Sequence, residues 1–252
     1  MNYKNKNKNK SMFEDSAFLE VKYSNKRAAP SEYPNQLANY VSSEYYKNTG
    51  SLLDIGCGKG DMIRAFSERG FACSGTDISK SSESYIEGFP FQAANILEED
   101  LPYEDNSFDF VWSKSVIEHL SDPMRLIKES HRILKDDGKA IIMVPSWIHN
   151  SWGPFYVDFS HVSAFTKVSL KDGMKIAGYE DIKVYHFYQL PHVWKMPFMK
   201  LFCKFISLFP IPYQPFYYDS WISLPSSINK YVRFSNEVML LAVGTKKIRK
   251  NG

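Results

Sequence analysis

Leu52–Gly60, Leu-Leu-Asp-Ile-Gly-Cys-Gly-Lys-Gly, constrains this chain more than any other stretch. An apolar run that reads as a buried strand, Ser51–Ile55, ends there in closely spaced glycines. A helix-periodic stretch follows at once: Asp61–Arg69 puts Met62, Ala65 and Phe66 on one face and stops at Gly70. The glycines allow a tight turn and let a ligand lie against bare backbone, at a helix start whose amides are unpaired. A strand, a glycine-rich turn and a helix in that order mark the strand-end crevice where open α/β sheets bind ligands.

The pattern repeats beyond it. Short apolar runs at Phe71–Thr76, Phe89–Ala94, Phe108–Trp112 and Lys139–Val144 read as further buried strands, with helical stretches between them. Asp122 followed by Pro123 is a capping residue before a proline at the first helical position, opening a helix over Pro123–Leu134. Thr166 caps another, which runs to Ala177 and stops at Gly178. Such alternation predicts a doubly wound α/β fold with a mostly parallel, seven-stranded Rossmann-like sheet. Tyr179–Tyr188 and Glu237–Thr245 lack an obvious crossover helix and read as a closing antiparallel pair, the last strand running antiparallel. Between them Gln189–Asn236 is dense in Trp, Phe, Tyr and Pro, and an insertion of that size usually serves a binding loop or lid. Within it Met196–Leu208 fits a helix with Phe198, Leu201, Phe202 and Phe205 on one face.

The domain layout expected is a disordered basic tail over 1–12, a helical segment over 13–50 with its helix near Asn35–Lys47, the main domain over 51–247 with 189–236 as a cap, and a tail over 248–252. The net charge of +3 comes partly from the Lys/Asn tail, which leaves the body near neutral and gives no case for a nucleic-acid partner. Cys57, Cys73 and Cys203 are odd in number and widely spaced, matching neither a disulfide framework nor a zinc site. No apolar run reaches the roughly 18–20 residues of a membrane span. The nearest, Met196–Pro212, is interrupted by Lys200 and Lys204. These features place the chain in the cytoplasm.

Asp77 closes the second strand about 20 residues past the glycines, where a carboxylate can accept hydrogen bonds from two ribose hydroxyls. A dinucleotide fingerprint would need glycine at the position of Asp61, and an acid there repels a pyrophosphate; no Gly-Lys-Ser/Thr marks a phosphate loop. The acidic strand end, Asp54, suits a ligand carrying an ammonium group beside a nucleoside.

With these residues in view, Leu52–Gly60 resembles the first motif of class I S-adenosylmethionine (SAM)-dependent methyltransferases, of the type 11/23 kind. The resemblance continues through Gly-Thr-Asp-Ile-Ser at Asp77, Leu101–Asp109, Trp112–Leu120 and Arg132–Gly138. It reaches the segment from His161 to Thr166 and Ala177-Gly178-Tyr179, spanning about Ser51–Tyr188 plus the last strand. It implies SAM as cofactor, with Asp54, Gly56, Cys57, Gly58 and Gly60 around its methionine half. Asp77 would bind the ribose, Ile78 and Ile96 would flank the adenine, and Ser113 would approach the methionine end. Where the family often has an acid contacting the adenine amino group, this chain has Asn95, whose oxygen can accept that bond without charge.

SAM carries its own activation, so the protein need only align a nucleophile with the methyl group, and no metal is expected. The six histidines show no metal-ligand spacing. For a hydroxyl acceptor a base would help. The candidates are His161 with Asp158, downstream of the fifth strand beside an aromatic loop, and His119 after the fourth. The expected acceptor is a small molecule or glycan-type compound methylated at oxygen. A lipid- or quinone-type acceptor, with peripheral membrane contact through 194–221, is the alternative the aromatic insertion suggests. A non-catalytic SAM-binding module is another, and an NAD(P)-dependent oxidoreductase a more distant one.

Overall fold

The computed structural model describes residues 31–151, 154–214 and 224–247. Both expected tails, the stretch of the N-terminal segment before residue 31, Trp152, and Phe216, Tyr217, Tyr218 and Trp221 of the insertion lie outside the described residues.

Seven strands form one sheet: β1 (Ser51–Ile55), β2 (Ala72–Asp77), β3 (Phe91–Ala93), β4 (Phe108–Lys114), β5 (Leu134–Pro145), β6 (Glu180–Phe187) and β7 (Met239–Thr245). Their order is β3-β2-β1-β4-β5-β7-β6. The first five pair in parallel, and β7 lies antiparallel between β5 and β6. This is the expected Rossmann-like sheet with its antiparallel last strand. Both faces are buried, as side chains alternate across the pleat. Along β5, Ala140, Ile142 and Val144 join one core while Ile141 and Met143 join the other. Helices α1 (Tyr33–Val41) and α2 (Asp61–Ser67) cover the second core; α3 (Pro123–Ile133) and α5 (Lys167–Ile176) cover the first.

The caps read from the sequence form. The Asp122 side chain accepts from the Met124 amide at 3.1 Å, and Thr166 makes a reciprocal capping box with Ser169. The crossovers differ from expectation on one side. β2 and β3 are joined by a single 3-10 segment, Lys80–Tyr85, and irregular chain leads from β3 to β4. Gly88, Pro90 and Pro102 break this region, and Glu98-Glu99-Asp100 offers no apolar face, so no helix there could pack on the sheet.

The insertion holds α6 (Pro191–Lys195), α7 (Met199–Ser207) and α8 (Ser226–Asn236), after the short α4 (Trp147–Asn150) that follows β5. α8 has no counterpart in the sequence reading, and it buries only Val232 and Ser235. The insertion is tied to α1 through Trp194, which stacks on Tyr40 at 5.1 Å and on Phe187 at 5.1 Å. No helix among the described residues is long and apolar enough to cross a membrane.

Candidate active site

The carboxyl ends of β1, β2 and β4 open into a cavity of about 1240 Å³. Its floor is backbone. The Gly56 and Cys57 amides both donate to the Thr76 carbonyl, at 2.8 and 3.1 Å, so the turn after β1 hangs from the end of β2. Gly56 and Gly60 take left-handed conformations, φ +77° and +74°. A Cβ at Gly56 would overlap Val116 Cγ2, and one at Gly60 would overlap Ile86 Cγ2. Here the sequence needs glycine for room as well as for conformation.

Two acids face this floor. Asp77 accepts from the Gly58 amide through Oδ2 and from the Ser79 amide through Oδ1, each at 2.9 Å. Burial raises its pKa, and those backbone donors pull it back. Asp54 is buried at the end of β1; burial and the neighbouring Asp77 push its pKa up to about 8, against the pull of Lys114. Lys114, at the end of β4, is half-buried, and burial lowers its pKa while Glu118 and Asp54 raise it.

The other wall is built from side chains. A 3-10 turn, Ile117–His119, follows β4, and the loop after β5 docks onto it, the Val162 and Ser163 amides donating to the Glu118 carbonyl at 2.9 and 3.0 Å. This docking stacks His161 on His119, ring centroids 4.8 Å apart. His161 Nε2 lies 3.6 Å from Asp158 Oδ2 and 4.0 Å from Glu118 Oε1. Its Nδ1 sits 2.6 Å from the Phe155 carbonyl. A carbonyl only accepts, so Nδ1 carries the hydrogen and, in the neutral ring, the lone pair is on Nε2. Ser160 links the second histidine: its hydroxyl donates to Asp158 Oδ1 at 2.6 Å, and His119 Nδ1 lies 3.0 Å from that hydroxyl oxygen.

Of the residues singled out in the sequence, Asp54, Gly56, Cys57, Gly58, Asp77, Ile78, Asn95, Ile96, His119, Asp158 and His161 all line this cavity. Gly60 is not among its lining residues; it sets the left-handed entry to α2. Nor is Ser113, whose buried hydroxyl donates to the Ile55 carbonyl at 3.0 Å and so braces β4 against β1. Asn95 uses its side-chain oxygen to accept from the Leu97 amide at 3.2 Å. Four lining groups went unnoticed in the sequence. Lys114 and Glu118 fall within the Trp112–Leu120 motif without being assigned a role, while Arg233 and Glu237, around the end of α8, carried no motif. Histidine spacing along the chain also concealed a spatial fact: one ligand atom each from Glu118, His119 and His161 lies within 4.8 Å of the others, a set able to hold a cation.

A glycine floor that excludes side chains, a buried acid for an ammonium group, a second acid for ribose and the apolar Ile78 and Ile96 suit SAM in shape and charge. The profile of a methyltransferase-domain family matches residues 25–184, and the chain belongs to that family, with SAM as its cofactor. Residues 25–184 thus belong to a SAM-dependent methyltransferase domain.

Among relatives, an uncharacterized methyltransferase of Bacillus subtilis is 33% identical over 36% of this chain and 39% of its own length. A tocopherol O-methyltransferase of Arabidopsis thaliana is 30% identical over 46% of this chain and 35% of its own. A ubiquinone/menaquinone C-methyltransferase of Geotalea uraniireducens is 33% identical over 39% and 46% respectively. The matched region thus spans less than half the length of these three relatives. In fold, the chain is similar to the putative methyltransferase solved with the Haloferax volcanii Trm112 activator. That likeness has TM-score 0.66 and 17% identity, covering 95% of this chain and 98% of that one.

Proposed function

We propose that this protein transfers the methyl group of SAM to a hydroxyl of a small-molecule or glycan-type acceptor, with His161 taking up the hydroxyl proton. The observation that carries this reading is the orientation of His161. Its Nδ1–H is fixed on the Phe155 carbonyl, and its Nε2 is turned toward Asp158 and Glu118 at the cavity wall. The carboxylates would stabilise the imidazolium formed as the proton arrives. His119 acts as a positioning residue, holding Asp158 through Ser160.

Bound SAM supplies a methyl group already activated on a sulfonium. The chain's part is to hold and orient: Asp54 faces the ammonium end, Asp77 the ribose hydroxyls, and Ile78, Asn95 and Ile96 the adenine. Lys114 and Glu118 also line the cavity. A lipid- or quinone-type acceptor is the second reading, supported by Phe155 and Phe234 on the cavity lining. The three cysteines are free and buried, which supports a reducing, cytoplasmic setting.

The test is turnover of labelled methyl into a panel of hydroxylated acceptors by wild type and His161→Ala. Loss of about 100-fold in kcat with SAM affinity unchanged is expected for a lost base; unchanged turnover removes His161 from that role. Wild-type activity should survive chelation. Loss on chelation, restored by a divalent cation, would reassign Glu118, His119 and His161 to metal binding. SAM binding with no transfer to any acceptor would favour a binding module.

A further inference from the structure

We propose that α7 is an interfacial helix that seats this protein on an anionic lipid surface. Among the described residues, α7 is covered on one narrow side only. Cys203 is enclosed there, with Met199 beside it, against Tyr188, Leu190, Val193 and Val238. The outer side carries Leu201, Phe202 and Phe205, continued by Phe198 and Leu208, which keep helical backbone at the two caps, and by Phe209. Phe198, Leu201, Phe205 and Leu208 are 67%, 70%, 57% and 76% exposed. At 3.6 residues per turn, the five side chains from Phe198 to Leu208 fall within an arc of about 120°. A helix apolar on two sides, only one of them met by the described residues, presents a broad greasy face, which soluble domains rarely tolerate without a partner.

The charge pattern selects the partner. Exposed Lys200 and Lys204 run along one border of the apolar arc, and exposed Lys195 ends the preceding helix. From Leu190 to Gln214 there is no acidic residue. A second copy packed face to face would bring Lys200 and Lys204 of both copies together with no counter-charge from this segment. An anionic bilayer meets both needs, its headgroups answering the lysines while the phenylalanines and leucines enter the acyl boundary. α7 also packs on α8, whose Lys230, Arg233 and Phe234 line the cavity, so docking brings the site close to the lipid. The inference concerns where the enzyme works and holds whichever acceptor it methylates.

The experiment is co-sedimentation of the full chain with vesicles of phosphatidylcholine alone or with added phosphatidylglycerol. Wild type should pellet with the anionic vesicles, weakly with the neutral ones, and less as salt rises. Phe198→Ser/Leu201→Ser/Phe205→Ser should lower the partition coefficient by at least about 50-fold, from the apolar area it removes. Its melting temperature and SAM affinity, measured alongside, should match wild type because these side chains point outward. Lys200→Glu/Lys204→Glu should lower partition by at least about tenfold, at roughly 1 kcal/mol for each lysine near an anionic surface. Wild type remaining in the supernatant with anionic vesicles would overturn the proposal, as would serine variants that pellet like wild type. A lipid-free dimer seen by light scattering, abolished by the serine changes and with no vesicle binding, would assign the face to a second copy instead. SAM affinity is read separately, so failure here leaves the methyltransferase reading intact.

Discussion

On one wall of the cavity Gly56, Cys57 and Gly58 follow one another in sequence and hang by their amides from the end of β2, the first two on the Thr76 carbonyl and Gly58 on the Asp77 carboxylate. On the other, Glu118 and His119 meet Asp158 and His161 only because the loop after β5 docks onto the turn after β4. The first wall is a property of chain conformation; the second is a property of side-chain meeting. They differ in what they tolerate. The backbone wall fails when a side chain is added, the side-chain wall when one is removed. They touch where Gly56 faces Val116, next to the Ile117–His119 turn.

The largest expected effect lies at that contact. Gly56→Ala adds a Cβ into Val116 Cγ2 at a φ of +77°. Left-handed backbone costs a residue with a side chain roughly 1–2 kcal/mol and overpacking about 1–3 more. SAM affinity should fall at least about 100-fold, with a lowered melting temperature. Gly56→Ala/Val116→Ala relieves the overlap and leaves the backbone strain, so calorimetry should show partial recovery of SAM binding. Full recovery would mean that conformation does not define this wall.

Asp77→Ala comes next. It removes the acceptor for the Gly58 and Ser79 amides as well as the proposed ribose contact. Hydrogen bonds to charged groups contribute about 1.5–3 kcal/mol each, so SAM should bind about 10- to 150-fold more weakly. Unchanged affinity with a lowered melting temperature would leave Asp77 a turn-holding residue with no ribose contact.

Asp54 gives a smaller effect with a defined sign. Its carboxyl rises from an ordinary 3.8 to about 8 in the fold. A carboxyl with a folded value above its unfolded one favours the folded state while protonated, so ligand-free stability falls as pH climbs through that window. An ammonium group bound against it reverses the preference and expels the proton. Between about pH 5.5 and 7, where an α-amino group stays charged, SAM affinity should rise up to about tenfold per pH unit. Calorimetry in buffers of different ionisation enthalpy should show up to one proton released, and Asp54→Asn should abolish the release. No buffer dependence in wild type would move the ammonium group away from Asp54.

The same contrast explains what could be read in advance. The positions of the strands, the glycine turn, Asp54 and Asp77 are local signals, each fixed by residues a few positions apart, and the sequence pattern exposes them directly. The pairing of His161 with Glu118 depends on two loops separated by α3 and β5, and periodicity says nothing of such a meeting. α8, which buries only Val232 and Ser235, lies inside the stretch read as a single insertion and was not resolved within it, though its Arg233 lines the cavity. The missing helix between β3 and β4 follows from prolines and acids that were visible but were outweighed by the alternation on either side.

Ser113 tests the comparison from the other side, because its position in the motif suggested a ligand contact. A strand alternates its side chains, and the Ser113 hydroxyl goes to the Ile55 carbonyl, bracing β4 to β1 beneath the floor. Ser113→Ala leaves that buried carbonyl without this donor, and should cost about 1 kcal/mol of stability, within the usual range for a single neutral hydrogen bond. SAM affinity should stay within about twofold of wild type, since a twofold change corresponds to only about 0.4 kcal/mol. A larger loss of affinity at full stability would show that the floor transmits side-chain changes from the strand below, and that the first wall is less purely backbone than its hydrogen bonds imply.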